Sequence, residues 1–376
     1  MGSLNDYINW RGDLTFRMSP LNEVDSLIFS LITYVDLEGI VPCSHEEKGI
    51  PLSSAIEQFF ARNPNEKKIS MGLIVPKNIL KIFRALKNTK RFGSVEVKAH
   101  VNVIDTERQM QFSATTFLLG QGSSLIAFRG TDDTLVGWKE NFNMSFLPYI
   151  PAQKEAVLYL DRAAEQFTGE QIYVAGHSKG GNLAVYSSIY SDPSVRTRIK
   201  RVWSYDGPGF GEGMLKSPEY IKMRPVISSL IPQSSVVGML LEHDENYTVV
   251  KSRQAGLLQH DGLSWNVMGK SFVYLKSVTG GSRHLDRSLN EWIRMMTPEQ
   301  REEFVEALYR ILSSDNATTL TELAAIHKNK WLKKSASLDP HVKKTVQKTL
   351  TALFEVNTKN LLSELLTKKD LPKKDR

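Results

Sequence analysis

The sequence lacks the features that mark secreted and membrane-spanning proteins. Cys43 is the only cysteine among 376 residues, so no disulfide can form within the chain and no cysteine cluster can hold a metal ion. No apolar run reaches the roughly 18 residues that a spanning helix needs. The first 16 residues contain three charged side chains and no apolar core, which is unlike a secretory signal. These absences predict a cytoplasmic protein.

The sequence also lacks an excess of either charge outside its C-terminal tail. Residues 317–376 contain 13 Lys and Arg residues but six Asp and Glu residues, and this difference accounts for the whole net charge of +7. The rest of the chain contains 35 residues of each sign. Because a nucleic-acid enzyme needs basic residues around its site, the neutral body argues against that class and predicts no nucleic-acid partner.

Strand and helix patterns alternate along most of the chain. Apolar residues at helical spacing predict helices at residues 19–35, with Ser19 as the N-cap, and at 152–167 and 180–190. Alternating apolar residues predict a hairpin from the runs at 100–104 and 111–119. Further apolar runs predict strands at 125–128, 171–175, 201–205, 226–231 and 247–250. Strands that alternate with helices at this spacing predict a mostly parallel sheet flanked by helices.

The strand patterns end at about residue 285. The sequence TPEQ at residues 297–300 predicts a capping box that opens a helix ending near Leu312. Residues 341–366 form a second helical pattern, with lysines off its apolar stripe. We therefore predict an α/β domain at residues 1–284 and a helical C-terminal extension at 285–376. The basic helix would suit contact with an anionic membrane surface, although such helices more often pack their apolar face on the body.

The segment between the predicted strand at 171–175 and the following helix reads GHSKGG, at residues 176–181. A serine nucleophile must be lifted out of the backbone, and a sharp strand-to-helix turn does this when glycines stand two residues before and after it. The helix N-terminus also favours negative charge on the reaction intermediate. The alternative is a plain tight turn, but the segment lacks the P-loop ending and the GxGxxG spacing of nucleotide sites. We predict that Ser178 is a nucleophile.

The strand predicted at 125–128 ends in a second informative motif. Residues 128–131 read FRGT, and Trp138 follows several residues later. This pattern resembles the oxyanion strand of the class three (fungal-type) lipases, which are serine hydrolases of the α/β-hydrolase fold. The resemblance implies that Thr131 supplies both its amide and its hydroxyl to the oxyanion. In this fold the second amide belongs to the residue after the nucleophile, which here is Lys179.

Four other stretches resemble a little-characterised bacterial branch of these lipases. They read WRGD at residues 10–13, NEVD at 22–25, YDGPGF at 205–210 and QHD at 259–261. These stretches identify the branch but imply no activity by themselves. The GHSKGG and FRGT motifs, in contrast, are specific to hydrolase chemistry.

In this fold the three catalytic residues form a triad and follow one another along the chain in the order nucleophile, acid, histidine. This order limits the choice of general base. It leaves His243, His260 and His284, because His177 lies inside the GHSKGG motif and the later histidines lie in the helical tail. His243 precedes a predicted strand, whereas the catalytic histidine belongs on a loop beyond a late strand. His260 lies in such a loop, at residues 256–262, so we predict His260 as the base. His284, in a Gly/Ser-rich loop, is the second candidate.

The predicted acid is Asp206, which follows the strand at 201–205. A carboxylate at the carboxyl end of a sheet strand, near the nucleophile, can orient the histidine. The class three lipases instead place their acid in a later Asp-apolar-Val-Pro turn, and the comparable residues 234–237 read SSVV. The acid is therefore either Asp206 or Asp244, and we favour Asp206.

Together these residues predict a serine hydrolase that cleaves a carboxylic ester, as a lipase or esterase does, through an acyl-enzyme on Ser178. We expect a small-molecule or lipid ester as substrate, and neither a metal nor an organic cofactor. A thioesterase or acyltransferase would use the same triad, and a catalytically silent scaffold that binds lipid or a partner is the third alternative. Five apolar residues after Asp206 predict either an acyl site or core packing: Met214, Leu215, Tyr220, Ile221 and Met223.

Overall fold

A sheet of nine strands forms the centre of the computed structural model, which describes residues 2–72, 75–242, 246–280, 296–313 and 317–324. These strands, and two more that pair separately, are β1 (Ile50–Pro51), β2 (Glu96–Asp105), β3 (Met110–Gly120), β4 (Ser123–Phe128), β5 (Gln171–His177), β6 (Ile199–Tyr205), β7 (Ile227–Pro232), β8 (Thr248–Val250), β9 (Val267–Met268), β10 (Ser271–Phe272) and β11 (Tyr274–Leu275). The order across the sheet is β1-β2-β3-β4-β5-β6-β7-β8-β11, and β9 pairs with β10.

The sheet is antiparallel in its first half and parallel where the predicted site lies. Strands β1 to β4 pair antiparallel, β4 to β8 pair parallel, and β11 is antiparallel to β8. Strands β2 and β3 are the predicted hairpin. Parallel pairing places the carboxyl ends of β4, β5 and β6 at one edge, so the segments that follow them meet there. The predicted α/β-hydrolase class is confirmed, with the parallel strands confined to the second half of the sheet.

Helices cover both faces of the sheet. They are α1 (Leu4–Arg11), α2 (Glu23–Ile32), α3 (Leu52–Arg62), α4 (Asn78–Leu86), α5 (Leu135–Asn143), α6 (Pro151–Gln166), α7 (Lys179–Tyr190), α8 (Pro193–Arg198), α9 (Glu212–Leu215), α10 (Pro218–Met223), α11 (Pro298–Ser313) and α12 (Leu320–Ala324). Successive side chains of a strand point to opposite faces. In β4, Leu125 and Ala127 join the core beneath α2 and α4, whereas Ile126 and Phe128 join the core beneath α6 and α7. Burial on both faces explains why β4 reads as a continuous apolar run.

The first of the predicted helices is shorter than expected. Helix α2 has Asn22 as its N-cap, so the prediction of Ser19 is wrong. The Asn22 side chain accepts hydrogen bonds from the backbone N–H groups two and three residues later, and the Asp25 side chain completes the capping box. Asp25 also forms a fully buried ion pair with Arg91. The NEVD motif at residues 22–25 therefore has a structural role: it starts α2 and fixes it to the body.

The predicted capping box at residues 297–300 is confirmed. The Thr297 N–H donates to the Gln300 side chain at 2.9 Å, and the Gln300 N–H donates to the Thr297 hydroxyl at 3.3 Å. The second predicted helix, at residues 341–366, lies outside the described residues, and the division between residues 284 and 285 stays a prediction. None of the helices within the described ranges is long and apolar enough to cross a membrane.

Helix α11 packs against α5, just beyond the FRGT motif. An apolar cluster joins the two helices, and α5 contributes Leu135 and Trp138 to it. Beside this cluster, Lys139 Nζ lies 2.6 Å from Glu306 Oε1. The part of the C-terminal extension that the structure describes is therefore packed on the α/β body, next to the element that follows the predicted oxyanion turn.

Candidate active site

Ser178 occupies the turn between β5 and α7 in an unusual backbone conformation. Its φ of 60° and ψ of −132° lie in a region that non-glycine residues rarely adopt, at a cost of about 1 to 3 kcal/mol. The Ser178 N–H donates to the Tyr205 carbonyl of β6 at 2.9 Å, and the Gly181 N–H donates to the Ser178 carbonyl at 2.8 Å. These bonds hold the strained turn, and the serine is partly exposed at the sheet edge.

Close packing within this turn requires the glycines of the GHSKGG motif. A Cβ atom on Gly176 would lie 2.1 Å from the Gly180 carbonyl oxygen, and one on Gly180 would lie 2.1 Å from the Phe128 carbonyl oxygen. Atoms that are not bonded cannot approach this closely. The residues two before and two after Ser178 thus touch each other and the neighbouring strand, which is why the motif has this spacing.

The structure brings His260 and Asp206 together. His260 Nδ1 donates to Asp206 Oδ2 at 2.6 Å, and Asp206 is buried. The other carboxylate oxygen, Oδ1, accepts from the Ser235 hydroxyl at 2.5 Å and from the Gly238 N–H at 3.1 Å. Three donors therefore fix this carboxylate. The proton on Nδ1 leaves Nε2 of the neutral imidazole free to accept a proton, as a general base must.

The loop that carries Asp206 lies against the turn that carries Ser178. A Cβ atom on Gly207 would lie 2.9 Å from the Ser178 carbonyl oxygen. Among the described residues, no hydrogen bond joins the Ser178 hydroxyl to His260. Such bonds are often long in a free enzyme and shorten when substrate binds. The remaining candidates for base and acid lie outside the described residues: His243, His284 and Asp244.

Two backbone N–H groups beside the serine have no acceptor in the part of the chain that the structure describes. They belong to Thr131 and Lys179, the two predicted oxyanion donors. Gly130 allows the Thr131 turn to approach Ser178, because a Cβ atom there would lie 2.6 Å from the His177 carbonyl oxygen and 2.9 Å from the Ser178 Cβ. Unpaired N–H groups close to the nucleophile are what an oxyanion hole requires.

Side chains support the turn that presents Thr131. Both ends of the Asn141 amide contact the Thr131 hydroxyl: Nδ2 donates to it at 2.6 Å, and the hydroxyl donates to Oδ1 at 2.9 Å. Arg129 is buried, and its Nη2 donates to Asp132 Oδ2 at 2.9 Å and to Asn102 Oδ1 at 2.8 Å. The arginine of the FRGT motif therefore stiffens the turn and does not face the nucleophile.

Sequence comparison assigns the chain to a family. The family model described as Mbeg1-like matches residues 86–310, which is more than half of the chain and includes Thr131, Ser178, Asp206 and His260. The chain belongs to the Mbeg1-like family. A comparison with curated protein sequences gave no significant match. The narrower bacterial branch stays a prediction.

The solved structures that this chain resembles include three lipases. The first is a Rhizomucor miehei lipase propeptide complex, with 12% identity and a TM-score of 0.33; the match covers 45% of this chain and 58% of that one. The M37 lipase has 16% identity, a TM-score of 0.35 and coverage of 59% and 70%. A fungal lipase–inhibitor complex has 11% identity, a TM-score of 0.33 and coverage of 62% and 81%. At this level of similarity none of the three carries an argument about activity.

Sequence reasoning missed a histidine that links the two halves of the Mbeg1-like site. His177 Nε2 donates to the His260 carbonyl at 2.7 Å, and the Tyr34 hydroxyl donates to His177 Nδ1 at 3.1 Å. Burial lowers the pKa of His177 to about 3, so the ring is neutral near pH 7. His177 thus connects the Ser178 turn to the backbone of the His260 loop. Its place directly before the serine is the one sequence signal for this role.

A cleft of about 580 Å³ opens beside helix α7. Asn182, one helical turn after Ser178, lies in its wall, whereas Ser178, Thr131 and His260 do not. The cleft therefore shares helix α7 with the Ser178 turn but is not lined by the predicted catalytic residues. Much of its wall is apolar and comes from Met144, Phe146, Leu147, Phe210, Met214 and Leu241.

The five apolar residues after Asp206 divide between core and surface. Tyr220 and Met223 are buried in the core beneath α6 and α7, and Leu215 packs against that core. Ile221 is 59% exposed. Met214 also packs against that core and lines the cleft as well, so core packing is correct for four of the five.

Proposed function

We propose that this protein is a serine hydrolase that cleaves carboxylic esters, as a lipase or esterase does. Ser178 is the nucleophile, His260 is the general base, and Asp206 orients the histidine. One observation carries the proposal: the strained Ser178 turn lies at the same sheet edge as the His260–Asp206 pair and two unpaired N–H groups. Strained backbone of this kind concentrates at functional sites.

The first half of the reaction acylates the serine. The Ser178 oxygen attacks the ester carbonyl carbon while His260 Nε2 takes the hydroxyl proton. The carbonyl oxygen becomes an oxyanion and accepts hydrogen bonds from the N–H groups of Thr131 and Lys179. When the intermediate collapses, His260 gives the proton to the departing alcohol oxygen, and the acyl group stays on Ser178 as an ester.

The second half of the reaction releases the acid. His260 takes a proton from water, and the water oxygen attacks the acyl carbon through the same oxyanion. The bond to Ser178 breaks, the serine recovers its proton from His260, and the carboxylic acid leaves. Throughout, Asp206 holds the ring in the required tautomer and stabilises the positive charge that forms on it. The hydrogen bonds from Ser235 and Gly238 keep the carboxylate in place.

The surroundings of the site favour a substrate with an apolar group. Leu257 and Leu258, on the turn that ends at His260, are 44% and 39% exposed. The cleft beside α7 adds further apolar side chains, among them Phe146, Phe210 and Met214. Exposed apolar side chains that lie together often mark binding surfaces. We therefore expect a lipid ester or another ester with an apolar acyl or alcohol group.

Labelling with a fluorophosphonate tests the proposal, because this probe reacts with a serine only when a base and an oxyanion hole activate it. The wild type should be labelled, Ser178→Ala should not, and His260→Ala should react at least about 100-fold more slowly. Ser94→Ala is the matched control, since Ser94 is exposed and precedes β2 at the opposite edge of the sheet. It should react like the wild type.

The outcomes separate the candidate functions. Labelling that is lost in Ser178→Ala, together with turnover of p-nitrophenyl esters, supports the ester hydrolase. Labelling with turnover of thioesters but not of oxygen esters would indicate the thioesterase or acyltransferase alternative. A folded wild type that the probe does not label would contradict an active serine and favour the silent scaffold.

A further inference from the structure

The side chain of Lys179 is buried beneath the site that its backbone N–H helps to form. It is 1% exposed, and its Nζ donates to Glu140 Oε2 at 2.7 Å and to the Gln111 carbonyl at 2.6 Å. A lysine directly after a nucleophile would ordinarily extend into solvent. Here the ammonium group points back into the body, toward helix α5.

Glu140 is equally enclosed and fully bonded. It is 0% exposed; Oε2 also accepts from the Gln111 N–H at 3.1 Å, and Oε1 accepts from the Ala152 N–H at 2.9 Å. Each charged atom of the ion pair therefore has at least one hydrogen-bond partner, and the pair joins three elements, α5, β3 and α7, to the start of α6. Hydrogen bonds to several elements give a buried pair one preferred geometry.

Consecutive residues of α5 hold the two predicted oxyanion donors. Glu140 contacts Lys179, and Asn141 contacts the Thr131 hydroxyl at 2.6 Å. The unpaired N–H groups of Thr131 and Lys179 follow the ends of two neighbouring strands, and the backbone of the two turns is in close contact. Helix α5 contacts both turns through side chains and adds a second constraint on the distance between the two N–H groups.

Stability alone does not explain this ion pair. The desolvation of two buried charges largely offsets their attraction, and apolar replacements of a buried pair are often neutral or stabilising. What such a pair does supply is a fixed position for the residues that form it. An oxyanion hole depends on geometry more than most sites, because its N–H groups must lie about 3 Å from an atom that becomes charged only in the transition state.

We propose that Glu140 and Lys179 are positioning residues: their ion pair, together with Asn141, holds the two oxyanion N–H groups at the spacing that the reaction needs. This inference rests on the proposed serine hydrolase function. Misplaced donors stabilise the transition state less and leave the binding of the ground state nearly unchanged. Loss of the pair should therefore lower kcat and leave KM close to its original value.

The test compares two Lys–Glu ion pairs that each have one partner on helix α5. The double variant Glu140→Gln/Lys179→Met removes both charges of the inner pair, so no unpaired charge stays buried. The control, Lys139→Met/Glu306→Leu, removes the pair between α5 and α11, whose partners lie 2.6 Å apart on the side away from the site. The single variant Asn141→Ala removes the contact with Thr131 and leaves the buried charges paired, and it serves if the double variant does not fold. For each protein, Tm, kcat, KM and the rate of fluorophosphonate labelling are measured.

We expect kcat and the labelling rate of the inner double variant to fall about 10- to 100-fold with KM within about threefold. Asn141→Ala should have a smaller effect of the same kind, and the control should keep the wild-type kcat whatever its Tm. Wild-type labelling and kcat in a folded inner double variant would overturn the inference while leaving the hydrolase function standing. So would an equal fall in the control, which would indicate a general loss of stability. A wild type that is not labelled at all would overturn both proposals.

Discussion

The Ser235 hydroxyl donates a 2.5 Å hydrogen bond to Asp206 Oδ1, the carboxylate oxygen that does not face His260. Ser235 lies in residues 234–237, the stretch comparable to the turn in which the class three lipases carry their acid. In this chain that stretch supplies a supporting hydroxyl, and the carboxylate comes from the end of β6. Residues 234–237 and the end of β6 thus meet at the Asp206 carboxylate. In the class three lipases the carboxylate instead comes from the segment comparable to residues 234–237.

Replacement of Ser235 should weaken catalysis more than it weakens the fold. Ser235→Ala removes a hydrogen bond to a buried carboxylate, while the Gly238 N–H continues to hold the same oxygen. We expect kcat to fall about 10-fold, because a bond to a charged group contributes roughly 1.5 to 3 kcal/mol. Ser234→Ala is the control, since the Ser234 hydroxyl contacts exposed Thr279 and not Asp206. Equal kcat values for the two variants would contradict this role of Ser235.

The neutral state of His177 should make the protein lose stability in acid. Burial lowers its pKa from 6.5 to about 3 in the folded chain, so the unfolded chain binds more protons between these values. The contribution of neutral His177 to the free energy of unfolding is complete above pH 6.5. It is lost as the pH falls toward 3, by up to about 1.4 kcal/mol per pH unit. Urea denaturation at pH 7, 5.5 and 4.5 should therefore show a steeper loss for the wild type than for His177→Gln. Parallel curves for the two proteins would be evidence against a buried neutral His177.

Asp261 should show the opposite dependence. Burial raises its pKa from 3.8 to about 6, so the folded chain binds more protons between these values and loses stability as the pH rises through them. Asp261→Asn should thus stabilise the protein by about 1 to 3 kcal/mol at pH 7, since the amide oxygen can still accept from the Leu263 N–H. The difference in unfolding free energy should shrink toward zero at pH 4. A variant that is less stable than the wild type at pH 7 would show that the charge at this position is favourable.

The glycines of the nucleophile turn should tolerate no side chain. Gly176→Ala places a Cβ 2.1 Å from backbone atoms of Gly180, which cannot move without displacing Ser178. We expect a loss of more than about 3 kcal/mol of stability, or a folded protein that the fluorophosphonate does not label. Gly213→Ala is the control, because a Cβ there meets no atom within 4 Å. A stable, fully labelled Gly176→Ala would mean that the turn differs from the one described.

Local motifs explain why part of this site could be predicted from the sequence. The spacing of Gly176, Ser178 and Gly180 reflects contacts within five residues of chain, and the FRGT motif directly follows a strand. The order of triad residues in the fold then directed the choice toward Asp206 and His260, which the structure places 2.6 Å apart. Such features depend on neighbours in sequence or on a general rule of the fold.

The supporting contacts could not be predicted, because they join segments that are distant in sequence. His177 and His260 lie 83 residues apart, and Lys179 and Glu140 lie 39 residues apart. Nothing in either segment specifies its partner until the sheet brings them together. The wrong N-cap of α2 has a different cause: Ser19 is an acceptable cap, but its side chain accepts from Arg11 in the structure. Both Ser19 and Asn22 can cap a helix, and the contact with Arg11 places Ser19 outside α2.

A serine hydrolase of this kind must form a covalent acyl intermediate on Ser178, and rapid acid quenching followed by mass spectrometry tests this most directly. The protein is mixed with p-nitrophenyl butyrate, quenched within milliseconds and digested. We expect a butyryl adduct on the peptide that contains Ser178, formed in a burst of nitrophenol release and absent in Ser178→Ala. Ester turnover that continues in Ser178→Ala, or an adduct found on another residue, would contradict it.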